Sequence, residues 1–144
     1  MPFNMGNNFD VQKITNFLFQ HLIAIKMFHF QTTKYNYHKA SDEYLGKYWE
    51  NMDRLMEVTL GNIGKENISN DKKGETENVT NTQKLDIFSL ETSLPNDESI
   101  IIVVKNYIQN LRKLLPLHSH SELANIVDDM VADAIQFIYL LLLK

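Results

Sequence analysis

The chain has 144 residues, enough for one domain with a real core and too few for two independent ones. Apolar residues make up 44% and charged residues 22%, the balance of an ordinary globular protein, and the longest apolar run, residues 137–143, falls far short of the roughly 20 a membrane span needs. A net charge of −4 with no basic cluster longer than Lys72-Lys73 argues against nucleic-acid binding, and the lack of cysteine excludes disulfides, thiolate metal sites and cysteine nucleophiles.

The opening MPFNMGNNFD has neither the basic start nor the apolar stretch of a signal peptide, so a cytoplasmic, intracellular setting is expected. The sequons at Asn67 and Asn78 then read as chance matches. Four amphipathic stretches follow, and the fold class they predict is all-α. The first, over about residues 10–31, carries Ile14, Phe17, Leu18, Ile25 and Phe28 on one stripe with His21 beside them; Tyr35-Asn36-Tyr37 reads as the turn after it. The second, over about residues 37–62, lines up Leu45, Tyr48 or Trp49, Met52, Met56 and Ile63, with Gly61 and Gly64 as its expected stop.

The third begins after the polar cap Pro95-Asn96-Asp97-Glu98 and runs along Ile101, Val104, Ile108, Leu111 and Leu115 to Pro116. The fourth opens on Ser119-His120-Ser121-Glu122, read as a capping box between Ser119 and Glu122. It is expected to bury Leu123, Ile126, Val127, Met130, Ala134, Phe137 and Leu141. Short first and last links make helices one and two, and three and four, antiparallel neighbours. The middle link, residues 68–96, is different: polar and loop-like or partly disordered to Lys84, then apolar enough over residues 84–90 for a short docked helix. The second helix would be about 39 Å long, a length the link can retrace to bring helix three parallel to helix two. An up-down bundle with an insertion is the alternative.

The chemistry concentrates in residues 26–61. His29 falls near the end of the first helix and His38 near the start of the second, and Asp53 and Glu57 follow one turn apart on that helix. Imidazole and carboxylate together suit Fe(II) and Fe(III); manganese and zinc would accept the same donors. Each residue also has a plainer reading, as a helix-capping histidine or a solvated acidic face. Asp128, Asp129 and Asp133 read as a solvated helix face, His118 and His120 as caps, and the Met and aromatic residues as core packing. No phosphate-binding glycine loop, nucleophile elbow or serine triad is visible.

This segment resembles the ferroxidase region of the Dps-type miniferritins, a ferritin-like family. In that family an HW dipeptide ends the first helix, a histidine opens the second, an aspartate follows 15 positions later and a glutamate four beyond that. Here His29-Phe30 stands for the dipeptide, and His38, Asp53 and Glu57 keep the spacing. The wording KMFHFQT and YNYHKA is closer still to small virus- and phage-encoded ferritin-like proteins. The resemblance implies a single ferritin-like four-helix bundle over residues 1–144, with a long crossover between helices two and three. It also implies a site shared across a two-fold dimer, with His29 and His38 from one protomer and Asp53 and Glu57 from its mate.

On that footing the expected function is iron binding and Fe(II) oxidation by peroxide or dioxygen. The expected form is a homo-oligomer, at least a dimer, with mineral storage if a hollow shell closes. The alternative is a non-enzymatic structural or interaction protein, viral or virion-associated, whose metal site is degenerate or merely stabilising. The sequence departs from the family in three places: His29 and His38 are closer together, Phe30 replaces the tryptophan, and no basic tail is present for DNA. The third helix offers only Asn106 and Gln109 at mid-length, which argues against an iron centre inside one bundle.

Overall fold

A computed structural model describes residues 9–70 and 94–143, with side chains over 9–64 and 94–143. The described residues form four helices and a single 3₁₀ turn: α1 (Val11–Gln31), α2 (Tyr35–Asn70), α3 (Ile100–Leu114), the turn Leu117–Ser119, and α4 (Ser121–Leu142). They contain no strand, so the all-α class holds for them. No helix among them is long and apolar enough to cross a membrane.

Each helix starts and stops for a local reason. Asp10 caps α1, its carboxylate accepting from Lys13 N–H at 3.1 Å, and Thr32 closes the helix in extended backbone. The residues expected as a turn, Tyr35 to Tyr37, instead open α2, with His38 N–H donating back to Lys34 O at 3.0 Å. α2 also passes the expected stop and reaches Asn70. Gly61 keeps helical backbone with open space around it; such a glycine weakens a helix by about 1 kcal/mol but ends it only in a left-handed conformation. Buried Leu55 and Thr59 hold the helix down just before this point. The last residues of α2, 68–70, belong to the expected crossover link; the rest of that link through residue 93, with its docked helix, lies outside the described residues.

Asn96 organises the entry to α3, its side chain accepting from Glu98 N–H and Ser99 N–H at 3.0 and 2.9 Å. α4 starts one residue later than the expected capping box places it. The helix begins at Ser121 with His120 as its cap residue, Ser119 Oγ donates to Pro116 O, and the Glu122 carboxylate accepts instead from Asn62 Nδ2 at 2.9 Å.

Packing follows the stripes. α4 buries all seven residues expected of it, and Val131 as well. α1 buries Ile14, Leu18, Ile25 and Phe28 but leaves Phe17 at the rim. α3 turns slightly from the expected face: Ile100, Val104, Tyr107 and Leu111 are buried, while Ile101 and Ile108 are half-buried. On α2, Tyr48 faces inward and Trp49 outward.

Side-chain pairs give the helix directions. Thr15 meets Met56, Leu18 O accepts from Tyr48, and Phe28 meets Tyr37, so α1 and α2 are antiparallel. Asn36 reaches Leu143, Lys47 reaches Gln136, Asn51 reaches Asp133 and Asn62 reaches Glu122, so α2 and α4 are antiparallel too. The short turn at Leu117–Ser119 folds α4 back on α3, with Arg112 and Asp128 paired at 3.1 Å. α1 touches α2 and α3, and α4 touches the same two.

Candidate functional site

The two histidines expected from different helices meet where α1 hands over to α2. Their rings stack with centroids 4.0 Å apart and 20° between planes. The bonding between them is reciprocal. His29 Nδ1 donates to His38 O at 3.1 Å, and His38 Nδ1 donates to His29 O at 3.0 Å. A carbonyl can only accept, so each Nδ1 must carry its proton, and in the neutral ring each Nε2 keeps a lone pair. Ring orientation and tautomer are fixed through Nδ1, as metal-binding histidines are commonly held through one ring nitrogen.

A third side chain completes the lock. Ser41 is fully buried; its hydroxyl lies 2.9 Å from His29 Nδ1 and donates to His38 O at 3.0 Å. Ser41 was not legible as a site residue, although its place one turn after His38 on the buried face was a usable signal. His29 is 7% exposed and His38 is exposed. Burial first, and then the neighbouring His38, lower the pKa of His29 and keep its ring neutral.

Asp53 and Glu57 are exposed on α2, and Asp53 lies about 22 Å along that helix from His38 at the usual rise. Within one chain the structure therefore joins the two imidazoles and does not bring the two acids to them. No group of three or more His, Asp or Glu side chains that could hold a metal occurs among the described residues of a single chain. Helical periodicity nevertheless puts His38, Trp49 and Asp53 on one outer face of α2, at steps of eleven and four residues. Trp49 is 56% exposed there, and Phe30, at the end of α1, is 65% exposed.

The remaining candidates resolve into structural pairs. Asp128 pairs with Arg112, Asp129 lies 3.9 Å from Arg54, and Asp133 accepts from Asn51. His120 lies 3.3 Å from Glu122 across the start of α4, and His118 is exposed on the 3₁₀ turn. His21 is buried at mid-length, stacked on Tyr107 at 3.5 Å and edge-on to Tyr44 and Tyr48. These rings occupy the middle of the helix assembly, where a metal centre internal to one chain would need carboxylates.

A family of unknown function, DUF5856, matches residues 29–141. The chain belongs to this family. The matched span opens on His29 and takes in His38, Ser41, Asp53 and Glu57, along with all of α2, α3 and most of α4. No curated protein and no solved structure matches the chain.

Proposed function

We propose that this DUF5856 protein is a ferritin-like metal-binding protein whose substrate is Fe(II), taken up at a site completed by a second copy of the chain. The observation that carries the proposal is the reciprocal lock of His29 and His38, which leaves two Nε2 lone pairs for a cation. Asp53 and Glu57 of the partner would supply hard oxygen donors suited to iron in both oxidation states. In a two-fold pair with α2 crossing α2 antiparallel, each protomer's imidazoles face the other's acids, and two identical sites form. Trp49, between His38 and Asp53 on the same face, is the apolar surface such a pair would bury.

The topology fits the same reading. α2 and α3 both run antiparallel to α4, so they run parallel to each other, the relation a single-crossover ferritin-like bundle would give its second and third helices. At such a site the protein's task is to hold iron and leave coordination positions for dioxygen or peroxide, which takes the electrons from Fe(II). Storing the oxidised product would require a closed shell.

Mixing two inactive variants tests the shared site. Neither His38→Ala nor Asp53→Ala should bind and oxidise Fe(II) alone. Mixed and reassembled, they should regain activity, because half the sites in each mixed dimer then carry both wild-type ligand sets. Single variants as active as wild type would refute the assignment. Two dead variants that never complement would refute the shared site.

A further inference from the structure

We infer that Tyr44 and His21 form a one-electron redox site, in which Tyr44 is oxidised to a neutral phenoxyl radical while its proton passes to His21 Nε2. The Tyr44 hydroxyl lies 2.8 Å from that nitrogen, inside hydrogen-bond reach and suited to direct transfer. Tyr44 is stacked flat on Phe137 at 4.6 Å and 2°, and His21 flat on Tyr107 at 3.5 Å and 8°. Both rings are therefore held against rotation, and buried Tyr44 is shielded from the collisions that quench phenoxyl radicals.

The cluster makes poor sense as packing alone. Three tyrosines, Tyr44, Tyr48 and Tyr107, place hydroxyls in a core where phenylalanine would carry no desolvation cost, and the Tyr107 hydroxyl lies beside those of Tyr44 and Tyr48. Burial pushes the His21 imidazole down to about 3, so at neutral pH it is uncharged and can accept a proton. Burial also holds the Tyr44 hydroxyl well above the ordinary tyrosine range, so it does not ionise beforehand. Loss of an electron must then carry the proton with it. A weakly basic imidazole keeps that proton only while the tyrosine is oxidised, which makes the step reversible.

The balance is complete with a hydroxyl radical as oxidant. The Tyr44 O–H bond breaks, one electron goes to the hydroxyl radical to give hydroxide, and the proton forms a new N–H bond on His21. A thiol or ascorbate donor later returns one electron, and the proton moves back. His21 is also one wall of a cavity of about 210 Å³ between α1 and α3, lined in part by Gln20 and Asn106, where water can solvate the imidazolium. The inference stands on the core of one chain and does not rest on metal binding.

The test uses the full chain freed of metal by a chelator, with flash-generated tris(bipyridine)ruthenium(III) as the oxidant. The expected result is a long-lived neutral tyrosyl radical in the wild type and in Tyr139→Phe, which removes an exposed tyrosine. Tyr44→Phe, which keeps the ring on Phe137, should lose it, and His21→Gln should slow its formation. Electron–nuclear double resonance should find an exchangeable proton hydrogen-bonded to the phenoxyl oxygen in the wild type and in Tyr107→Phe, whose ring is kept, so that the proton is His21's and not that of the neighbouring Tyr107 hydroxyl. No long-lived radical in the wild type, a signal that survives in Tyr44→Phe, or one without that proton would each overturn the inference.

Discussion

Ser41 is the side chain on which the geometry of the histidine pair turns. Its hydroxyl touches His29 Nδ1 and the carbonyl of His38 at once, and it has no access to solvent. Ser41→Ala removes both contacts without leaving a charge behind, so the expected loss of stability is about 1 kcal/mol, read from the denaturant midpoint. On the proposed function the larger effect should fall on metal affinity. Substituting a group that orients a ligating imidazole typically lowers affinity by about 10- to 100-fold, and titration with Fe(II) under anaerobic conditions should show a loss in that range. A Ser41→Ala variant with wild-type affinity would mean that the ring is held by its carbonyl bond alone. His29 and His38 were readable in the sequence because two imidazoles near a helix junction are rare and conspicuous. Ser41 was not, since a serine near the start of a helix signals its backbone before anything else. The distance between histidines and acids was legible only as spacing along α2; whether they converge is a property of two chains, which no single sequence pattern contains.

At the scale of elements, the sequence and the structure part company where a local signal lost to tertiary packing. The α4 stripe was legible in full because seven apolar residues at helical spacing admit one buried face. α3 was harder: five consecutive aliphatics, Ile100 to Val104, let the face slip by one residue, and the aromatic Tyr107 rather than Ile108 decided it. Gly61 misled for a different reason, since glycine marks a helix end only where the backbone turns left-handed. Its open surroundings make Gly61→Ala an expected gain of about 0.5–1 kcal/mol in thermal or chemical unfolding.

His21 makes the packing between elements sensitive to acid. Its pKa is lowered from 6.5 to about 3 on burial, so the unfolded chain binds more protons than the folded one between those values. Stability should then rise with pH across that window and be lost as pH falls from about 6.5 towards 3, by at most about 5 kcal/mol at 1.36 kcal/mol per unit. His29, shifted in the same direction, adds to the slope. Denaturant midpoints taken between pH 7 and pH 4 should fall steeply for wild type and less steeply for His21→Gln. Parallel slopes would show that other groups dominate acid sensitivity.

For the whole molecule, the decisive quantity is how many chains it takes to make one site. One chain offers two locked imidazoles at the junction of α1 and α2 and two carboxylates about 22 to 28 Å further along α2, with an exposed Trp49 between them. A two-fold axis near residues 45–47, within about a turn of Trp49, is the arrangement that pairs both half-sites at once, and it buries an indole that is otherwise half in water. Aromatic residues at the centre of an interface commonly carry more than about 2 kcal/mol of its binding energy. Trp49→Glu places a charge from each protomer in the proposed interface, so on that reading sedimentation should show a dimer turning to monomer. Metal binding should fall in the same variant although no proposed ligand has changed. The helical fold should persist in circular dichroism, because Trp49 contributes little to the core of its own chain. A Trp49→Glu protein that stays dimeric and still binds iron would move the axis elsewhere. One that becomes monomeric and still binds iron would place the whole site within one chain, against the separation of histidines and acids along α2.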